Sequence, residues 1–346
     1  MTPILSTPIG QRSAWRSADF AGPDGIAFEL TGRHIDALDE ILRRVEAAGL
    51  GLDDLERRHF DHPALNDDLA GLFEEIQQGR GIVLLRRLPT ERYSEAQLGL
   101  LFWGIGTHFG RGVSQSVMGD RLGHVRDMTR VDPHARGYRN NKDQVLHTDL
   151  SEIVGMLSLT TAKAGGESRY ASALAIHNEI LAQHPEYLEA LYRGFPYHRH
   201  GEEKPGQEPI TPFDVPVFSL CEGQLSCRYI KLYITLAAAG LGRPLPPLLE
   251  QALAYFDEVA HRPDVMLEFV LQPGEMTFLN NFTVLHSRGR FLDHEDPARQ
   301  RHLLRLWLDV REGRPVVPEI EAYEPDGGIV AQEGKTPSFD PAQLRA

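Results

Sequence analysis

His147-Thr148-Asp149 is the part of this 346-residue chain whose side chains most plainly suggest chemistry. In an extended backbone, residues i and i+2 point to the same side, so the imidazole and the carboxylate can meet one ion without bending the chain. One nitrogen and one hard oxygen donor, completed by a second imidazole from a distant segment, form the three-ligand face of a mononuclear Fe(II) site. Three positions then stay open for a chelating co-substrate and dioxygen. With 15 His and 49 acidic residues, a chance His-x-Asp in a solvated loop is also expected. The downstream sequence has to decide.

His286 is the best-placed second imidazole. It follows Glu275-Met276-Thr277-Phe278-Leu279, a β-prone run launched by the Pro273-Gly274 turn, and then Asn280-Asn281. The intervening residues 150–285 leave room for several strands and an insertion. His261 ends an amphipathic helix and His294 lies in an acidic loop, so both are read as solvent-exposed. Glu152 and Asp143 are the alternative carboxylates should Asp149 not ligate.

Arg301-His302-Leu303-Leu304-Arg305-Leu306-Trp307-Leu308-Asp309 reads as a strand. Alternation puts Arg301, Leu303, Arg305, Trp307 and Asp309 on one face, and His302, Leu304, Leu306 and Leu308 on the other. The leucine face must be buried. Two arginines about 13 Å apart on the opposite face are costly indoors unless anions meet them. Asp309 and Glu275 could serve structurally. Fifteen residues after the candidate metal imidazole, however, a planar guanidinium is also well placed to clamp a dicarboxylate end-on.

Taken together, His147-Thr148-Asp149, Gly165-Gly166-Glu167-Ser168, Leu285-His286-Ser287-Arg288 with Phe291-Leu292-Asp293, and Arg301 to Trp307 resemble the taurine dioxygenase–clavaminate synthase family. These are Fe(II)- and 2-oxoglutarate-dependent oxygenases, and the resemblance runs in order from about residue 80 to 310. It implies that His147, Asp149 and His286 bind Fe(II), and that Arg301 pairs with the distal carboxylate of 2-oxoglutarate. Ser168 would supply the hydroxyl that relatives usually draw from Thr. Arg305 matches a position near the substrate or the other end of the co-substrate. Gln115 resembles a polar residue lining relatives' pockets. Arg228 is a further candidate for an anionic substrate group, or equally a structural ion-pair residue. Relatives often carry Asp-Asn-Arg where this chain has Asn280-Asn281-Phe282, which puts any ion pair there in doubt. Related halogenases lack the ligating carboxylate, so Asp149 disfavours halogenation. The implied reaction is oxidation of an unactivated C–H bond with O2, hydroxylation by default with desaturation or cyclisation left open, on a small carboxylate-bearing substrate such as an amino acid or natural-product intermediate. A metal-dependent hydrolase on the same three ligands, or a non-catalytic binding barrel, are the alternatives. The first leaves Arg301 unexplained; the second leaves the intact triad unexplained.

The elements that must position these residues are legible in outline. Ile35–Ala48 and Leu65–Gln78 carry apolar residues at helical spacing and end at glycines. Ile82-Val83-Leu84-Leu85 is a short buried strand, and Ser94-Glu95-Ala96-Gln97 is a capping box opening the next helix. Residues 111–146 read as a loop or lid over the site. Gly155–Thr161 resumes strand character, Ile176–Tyr192 is a helix interrupted near Pro185, and Pro246–His261 is another amphipathic helix. Residues 195–230 read as an irregular insertion closing over the substrate, with His198-Arg199-His200 solvated.

Alternating short strands, Pro-Gly turns and His ligands at strand ends indicate a mainly β fold with flanking helices. Its core is expected to be a double-stranded β-helix, or jelly roll, and the family resemblance weighs more in that assignment than periodicity does. The expected organisation is a single catalytic domain over 1–346. It has a helical accessory part (1–80), a jelly-roll core (81–310) and a surface tail (311–346).

A formal charge of −13 argues against a nucleic-acid partner. The N-terminal residues lack a charged start and an apolar core, and no apolar run approaches a membrane span, so no secretory signal and no membrane partner are expected. Cys221 and Cys227 make neither a zinc knuckle nor a disulfide framework. They read as reduced thiols of a cytoplasmic protein, and a homo-oligomer is compatible with the sequence.

Overall fold

The computed structural model describes residues 3–310, 313–321 and 328–338. Its strands in chain order are β1 (Ala27–Glu29), β2 (Ile82–Arg86), β3 (Arg111–Gly112), β4 (Leu122–Val125), β5 (Ile153–Thr160), β6 (Ala164–Gly165) and β7 (Ser168–Ser172). They continue as β8 (Phe218–Cys221), β9 (Gln224–Cys227), β10 (Leu267–Phe269), β11 (Met276–Asn280), β12 (Val284–Arg288), β13 (Phe291–Leu292) and β14 (His302–Asp309). The α-helices are α1 (Gly32–Ala47), α2 (Asn66–Gln77), α3 (Glu95–Gly106), α4 (Ala173–Gln183), α5 (Glu186–Arg193), α6 (Lys231–Gly240) and α7 (Pro247–Ala260). The two interrupted halves α4 and α5 flank Pro185 as the sequence predicts. The Ser94–Gln97 capping box is formed in both directions, at 3.2 and 2.9 Å.

A seven-stranded sheet runs in the order β1-β2-β11-β5-β14-β3, with β4 also pairing β14. Its pairs are antiparallel apart from β1 with β2. A second antiparallel sheet has the order β10-β7-β12. The alternation read in the last strand divides two cores. Leu304, Leu306 and Leu308 of β14 join Leu38, Ile41 and Phe102 from the helices on the outer face. Leu303 and Trp307 join Val154, Leu279, Tyr170 and Val284 in the space shared with the second sheet. Each buried leucine contributes roughly 1.5–3 kcal/mol, so a one-residue slip of this strand is strongly disfavoured. A third core packs α4 to α7 against the β8–β9 hairpin.

Four sequence expectations change. The N-terminal part is more than accessory, because β1 extends the main sheet while Trp15 and Ile26 reach the inter-sheet core. The 111–146 segment holds β3 and β4, which pair with β14 before the chain becomes irregular. The 195–230 segment contains the β8–β9 hairpin, and its His198-Arg199-His200 is buried rather than solvated. The polar backbone there is satisfied by tertiary partners, His198 N–H donating to the Tyr233 carbonyl and Arg199 N–H to that of Pro209. Finally, the tail sends Ile320 and Ile329 into buried positions and bridges Gly328 to Ser114, so it anchors as well as wraps. Within the expected tail, residues 311–312, 322–327 and 339–346 lie outside the described residues. Among the described residues no helix is long and apolar enough to cross a membrane.

Gly104 in α3 offers a test of this packing. A Cβ there would lie 2.0 Å from ring atoms of the buried Phe60. Gly→Ala inside a helix ordinarily stabilises by up to about 1 kcal/mol. Gly104→Ala should instead destabilise by about 1–3 kcal/mol through overpacking, read as a lowered urea midpoint.

Candidate metal centre and active-site cavity

His147 and His286 are brought together by the backbone itself. They form an antiparallel bridge in which each N–H donates to the other's carbonyl, at 3.0 and 2.9 Å. Directly opposed residues in such a pair point to the same side, and the two imidazole centroids lie 4.7 Å apart. His147 Nδ1 lies 2.8 Å from the Val145 carbonyl. Only an N–H can satisfy that oxygen, so the Nε2 lone pair is left facing the site. Burial and the neighbouring His286 push the His147 imidazole down to about 4, which keeps it in the neutral form that a metal requires.

Asp149 completes the group. Its Oδ1 is 3.9 Å from His147 Nε2 and its Oδ2 is 3.5 Å from His286 Nε2. One donor atom from each of the three residues lies within 4.8 Å of the other two. Thr148 points away and locks the triplet: its N–H donates to the Tyr229 carbonyl and its Oγ1 accepts from Tyr229 N–H. The next turn is held by Asn281, whose Oδ1 accepts from Asp149 N–H at 2.8 Å. Its Nδ2 donates to the carbonyls of Asp149 and Ser151 at 2.6 and 2.7 Å.

The Asp149 carboxylate has its own partners. Trp307 Nε1–H donates to Oδ2 at 2.8 Å, and Arg305 Nη1 lies 3.3 Å from the same oxygen. Burial opposes the carboxylate's charge, but Arg305 and the two imidazoles outweigh it and hold the acid well below the usual carboxylate range. Asp149 is therefore ionised with one oxygen already engaged. Glu152 instead meets the Arg314 backbone, and Asp143 pairs with Arg169, so neither replaces it. Of the other histidines, His261 Nδ1 is tied to the Asp257 carbonyl and His294 is half-buried near Arg299. His302 does come together with Glu95 and His124. The Arg126 guanidinium already donates to His302 Nδ1 and lies beside Glu95, which argues against a cation there.

These three residues open into a cavity of about 410 Å³, also lined by Ser168, Arg288, Arg301, Leu303, Arg305 and Trp307. The face read from alternation is thus the cavity wall. The structural alternative for its arginines does not hold, since Asp309 pairs with Arg111 and Glu275 with Arg86. Arg301 is 4% exposed and its Nη1 has no hydrogen-bond partner. Burial pulls its guanidinium down to about 10, so an anion is energetically wanted beside it. Behind it turns Gly165-Gly166, at φ of +73° and +80°. A Cβ on Gly165 would meet the Arg290 carbonyl at 2.1 Å, and one on Gly166 would meet Arg301 Nε at 3.1 Å. Only glycine lets this turn back Arg301 so closely.

The remaining expected site residues separate. Arg305 is sandwiched between Tyr138 and Trp307, at 4.5 and 5.0 Å from the ring centroids. Gln115 lines the cavity, but its Oε1 accepts from Arg305 Nε at 2.6 Å and its Nε2 donates to the Arg305 and Arg121 carbonyls. Its amide is thus engaged with Arg305 and the Arg121 backbone. Arg228 is a correction. It does not line the cavity; it is 1% exposed behind the centre, donates to the Asp149 and Ile320 carbonyls, and covers the Phe282 ring.

The model of the taurine catabolism dioxygenase TauD, TfdA family matches residues 46–307. The chain belongs to this family. It is 33% identical over 329 residues to the FR-33289 synthase of Streptomyces rubellomurinus, covering 93% of this chain and 96% of that one. It is 29% identical over 317 residues to the taurine hydroxylase-like protein SAT17 of Stachybotrys chartarum, covering 87% and 80%. Among solved structures its fold resembles an asparagine oxygenase with Fe(II), 2S,3S-3-hydroxyasparagine and succinate (TM-score 0.64, 16% identity, 82% and 93% coverage). It also resembles the non-heme iron oxygenase OrfP with Fe and alpha-ketoglutaric acid (TM-score 0.63, 14% identity, 82% and 94% coverage). Like these, it is a sheet-dominated fold with helices.

Three residues escaped the sequence reading. Trp307 shares the face of Arg305 and could have been found by alternation. Arg288, two residues after His286, could have been found in the same way. Nothing local marks Asn281 as the clamp of the metal turn. Asn281→Ala removes three buried hydrogen bonds and should cost about 3 kcal/mol, measured as a drop in unfolding free energy in urea; an unchanged midpoint would remove Asn281 from this role.

Proposed function

We propose that this protein is a single-domain, cytoplasmic Fe(II)- and 2-oxoglutarate-dependent dioxygenase built on a double-stranded β-helix, and that it oxidises a C–H bond of a small, carboxylate-bearing substrate such as an amino acid. One observation carries the reading: two imidazoles and an ionised carboxylate converge in a cavity that also holds a buried guanidinium with an unsatisfied Nη1. His147, Asp149 and His286 would hold Fe(II) by two nitrogens and one oxygen, leaving the open positions that O2 chemistry needs. Arg301, with the Ser168 hydroxyl, would hold the distal carboxylate of 2-oxoglutarate. When bound together, the metal, 2-oxoglutarate and O2 supply an oxidant strong enough for an unactivated C–H bond, with succinate and carbon dioxide as co-products.

The chain's own contribution is placement and exclusion of water. Trp307 and Arg305 engage Asp149 Oδ2, so the carboxylate is fixed in rotation before any ion arrives. The cavity wall also carries the Arg136–Glu202 ion pair at 2.6 Å, with Tyr233 accepting from Arg136 at 2.8 Å. Groups of both signs side by side suit a zwitterion, which supports an amino-acid-like substrate. A hydrolase using the same three ligands would leave Arg301 and the glycine turn behind it without work.

The test is iron-dependent conversion of 2-oxoglutarate to succinate in air, screened over amino acids and small organic acids. A substrate-stimulated, Fe(II)-requiring release is expected; no release above the metal-free control with any of them would remove the oxygenase reading. Separately, His286→Ala should abolish stoichiometric Fe(II) binding in anaerobic calorimetry while the far-ultraviolet circular dichroism is kept. Undiminished iron affinity in that variant would refute the ligand set.

A further inference from the structure

Arg288 is the most conspicuous buried group that the proposed reaction does not use. It is 5% exposed, lines the cavity, and its Nη1 has no hydrogen-bond partner, as with Arg301. The two guanidiniums share one aromatic ring: Arg288 Cζ lies 4.7 Å and Arg301 Cζ 5.1 Å from the Phe291 centroid. Two buried like charges beside each other, each with an unsatisfied donor, form a site for an anion richer than one guanidinium needs.

The sheet register says which anion. Ser168 pairs directly with Arg288 across the β7–β12 ladder, and Tyr170 pairs with His286. Opposed residues have Cβ atoms about 5 Å apart on one face, so Arg288 stands beside the serine hydroxyl already assigned to the co-substrate's distal carboxylate. Its Nη2 is engaged elsewhere. Nη2 donates to the carbonyls of Lys142 and Gly137, at 2.8 and 3.4 Å. These residues belong to the irregular segment that lines the cavity from Arg136 to Val145. The same stretch is tied to the end of β12 by Gln144 N–H donating to the Arg288 carbonyl, and to β13 by Phe291 N–H donating to that of Asn141.

We propose that Arg288 is the second arm of the carboxylate clamp, and that through its Nη2 contacts it couples co-substrate binding to the ordering of the 136–145 segment over the cavity. The inference rests on the oxygenase reading and deepens it. One guanidinium would then do two jobs: one edge meets the anion, and the other holds two carbonyls of the covering loop. Binding of the dicarboxylate removes the repulsion between Arg288 and Arg301, and so strengthens the hold on the loop.

Hydrogen exchange of the 136–145 amides tests this in the full-length, Fe(II)-loaded protein kept anaerobic, without turnover. In the parent, saturating 2-oxoglutarate should slow exchange there by roughly tenfold or more. Pyruvate, a 2-oxo acid without the distal carboxylate, should not. Arg288→Lys keeps a charge but cannot span both partners. It should weaken 2-oxoglutarate binding by roughly ten- to a hundredfold in calorimetry and lose the protection even at saturation. Arg301→Ala should weaken binding similarly yet regain protection at saturation, because Arg288 is intact. Equal protection by pyruvate and 2-oxoglutarate in the unmutated protein overturns the coupling without relying on any variant. Parent-like affinity in Arg288→Lys overturns the second arm. Failure of 2-oxoglutarate to bind the Fe(II)-loaded parent at all would strike the oxygenase reading itself, and is distinguishable from both.

Discussion

Everything in this site depends on keeping one carboxylate charged inside the protein. An uncompensated buried carboxylate costs several kcal/mol, and Asp149 escapes that cost by being held from two directions. Trp307 and Arg305 meet its Oδ2, while Asn281 and Arg228 meet its backbone carbonyl. The elements that provide these groups are β14, the turn after β11, and the residue after β9. The carboxylate therefore reports the assembly of three segments widely separated in the chain. Because the side chain is pinned at one oxygen, its rotation is settled by packing and not by the metal.

Arg228, Arg288, Arg301 and Arg305, all buried around the centre, have different fates, and the difference separates cations satisfied within the protein from cations that are not. Arg228 and Arg305 find acceptors within the protein, including Asp149 itself. Arg288 finds acceptors for one nitrogen only, and Arg301 keeps an unsatisfied Nη1. Desolvation makes unsatisfied cations expensive, so their place beside Ser168 and the Gly165-Gly166 turn marks where an external anion is wanted. The chain's overall charge of −13 gives no hint of this. Net charge describes the surface, whereas the cavity wall concentrates arginine.

The strand that begins one residue after Arg301 also anchors the protein. β14 carries Leu304, Leu306 and Leu308 into the helix-covered core, and Leu303, Arg305 and Trp307 towards the cavity. Its register is fixed by the leucines, whose burial contributes roughly 1.5–3 kcal/mol each. The arginines are placed as a consequence. Catalytic geometry thus rests on hydrophobic patterning, which explains how a polar cavity wall survives in the middle of a sheet.

Local pattern determined much of this by itself. The i, i+2 spacing of His147 and Asp149, the two-faced β14, the capping box at Ser94 and the amphipathic helices are all read correctly, because each depends on short-range periodicity. His286 was also within reach, as the imidazole after a β-prone run. Contacts between distant segments were not. The direct backbone pairing of His147 with His286, the burial of His198-Arg199-His200, and the retreat of Arg228 behind Asp149 depend on which strands become neighbours. Asn281 carries no local signature of its role, since an amide reads the same in a loop as in a clamp. Tertiary structure alone decided which buried charges were satisfied from within and which were left facing the cavity, because desolvation and partnership are properties of the assembled surroundings and not of the residue.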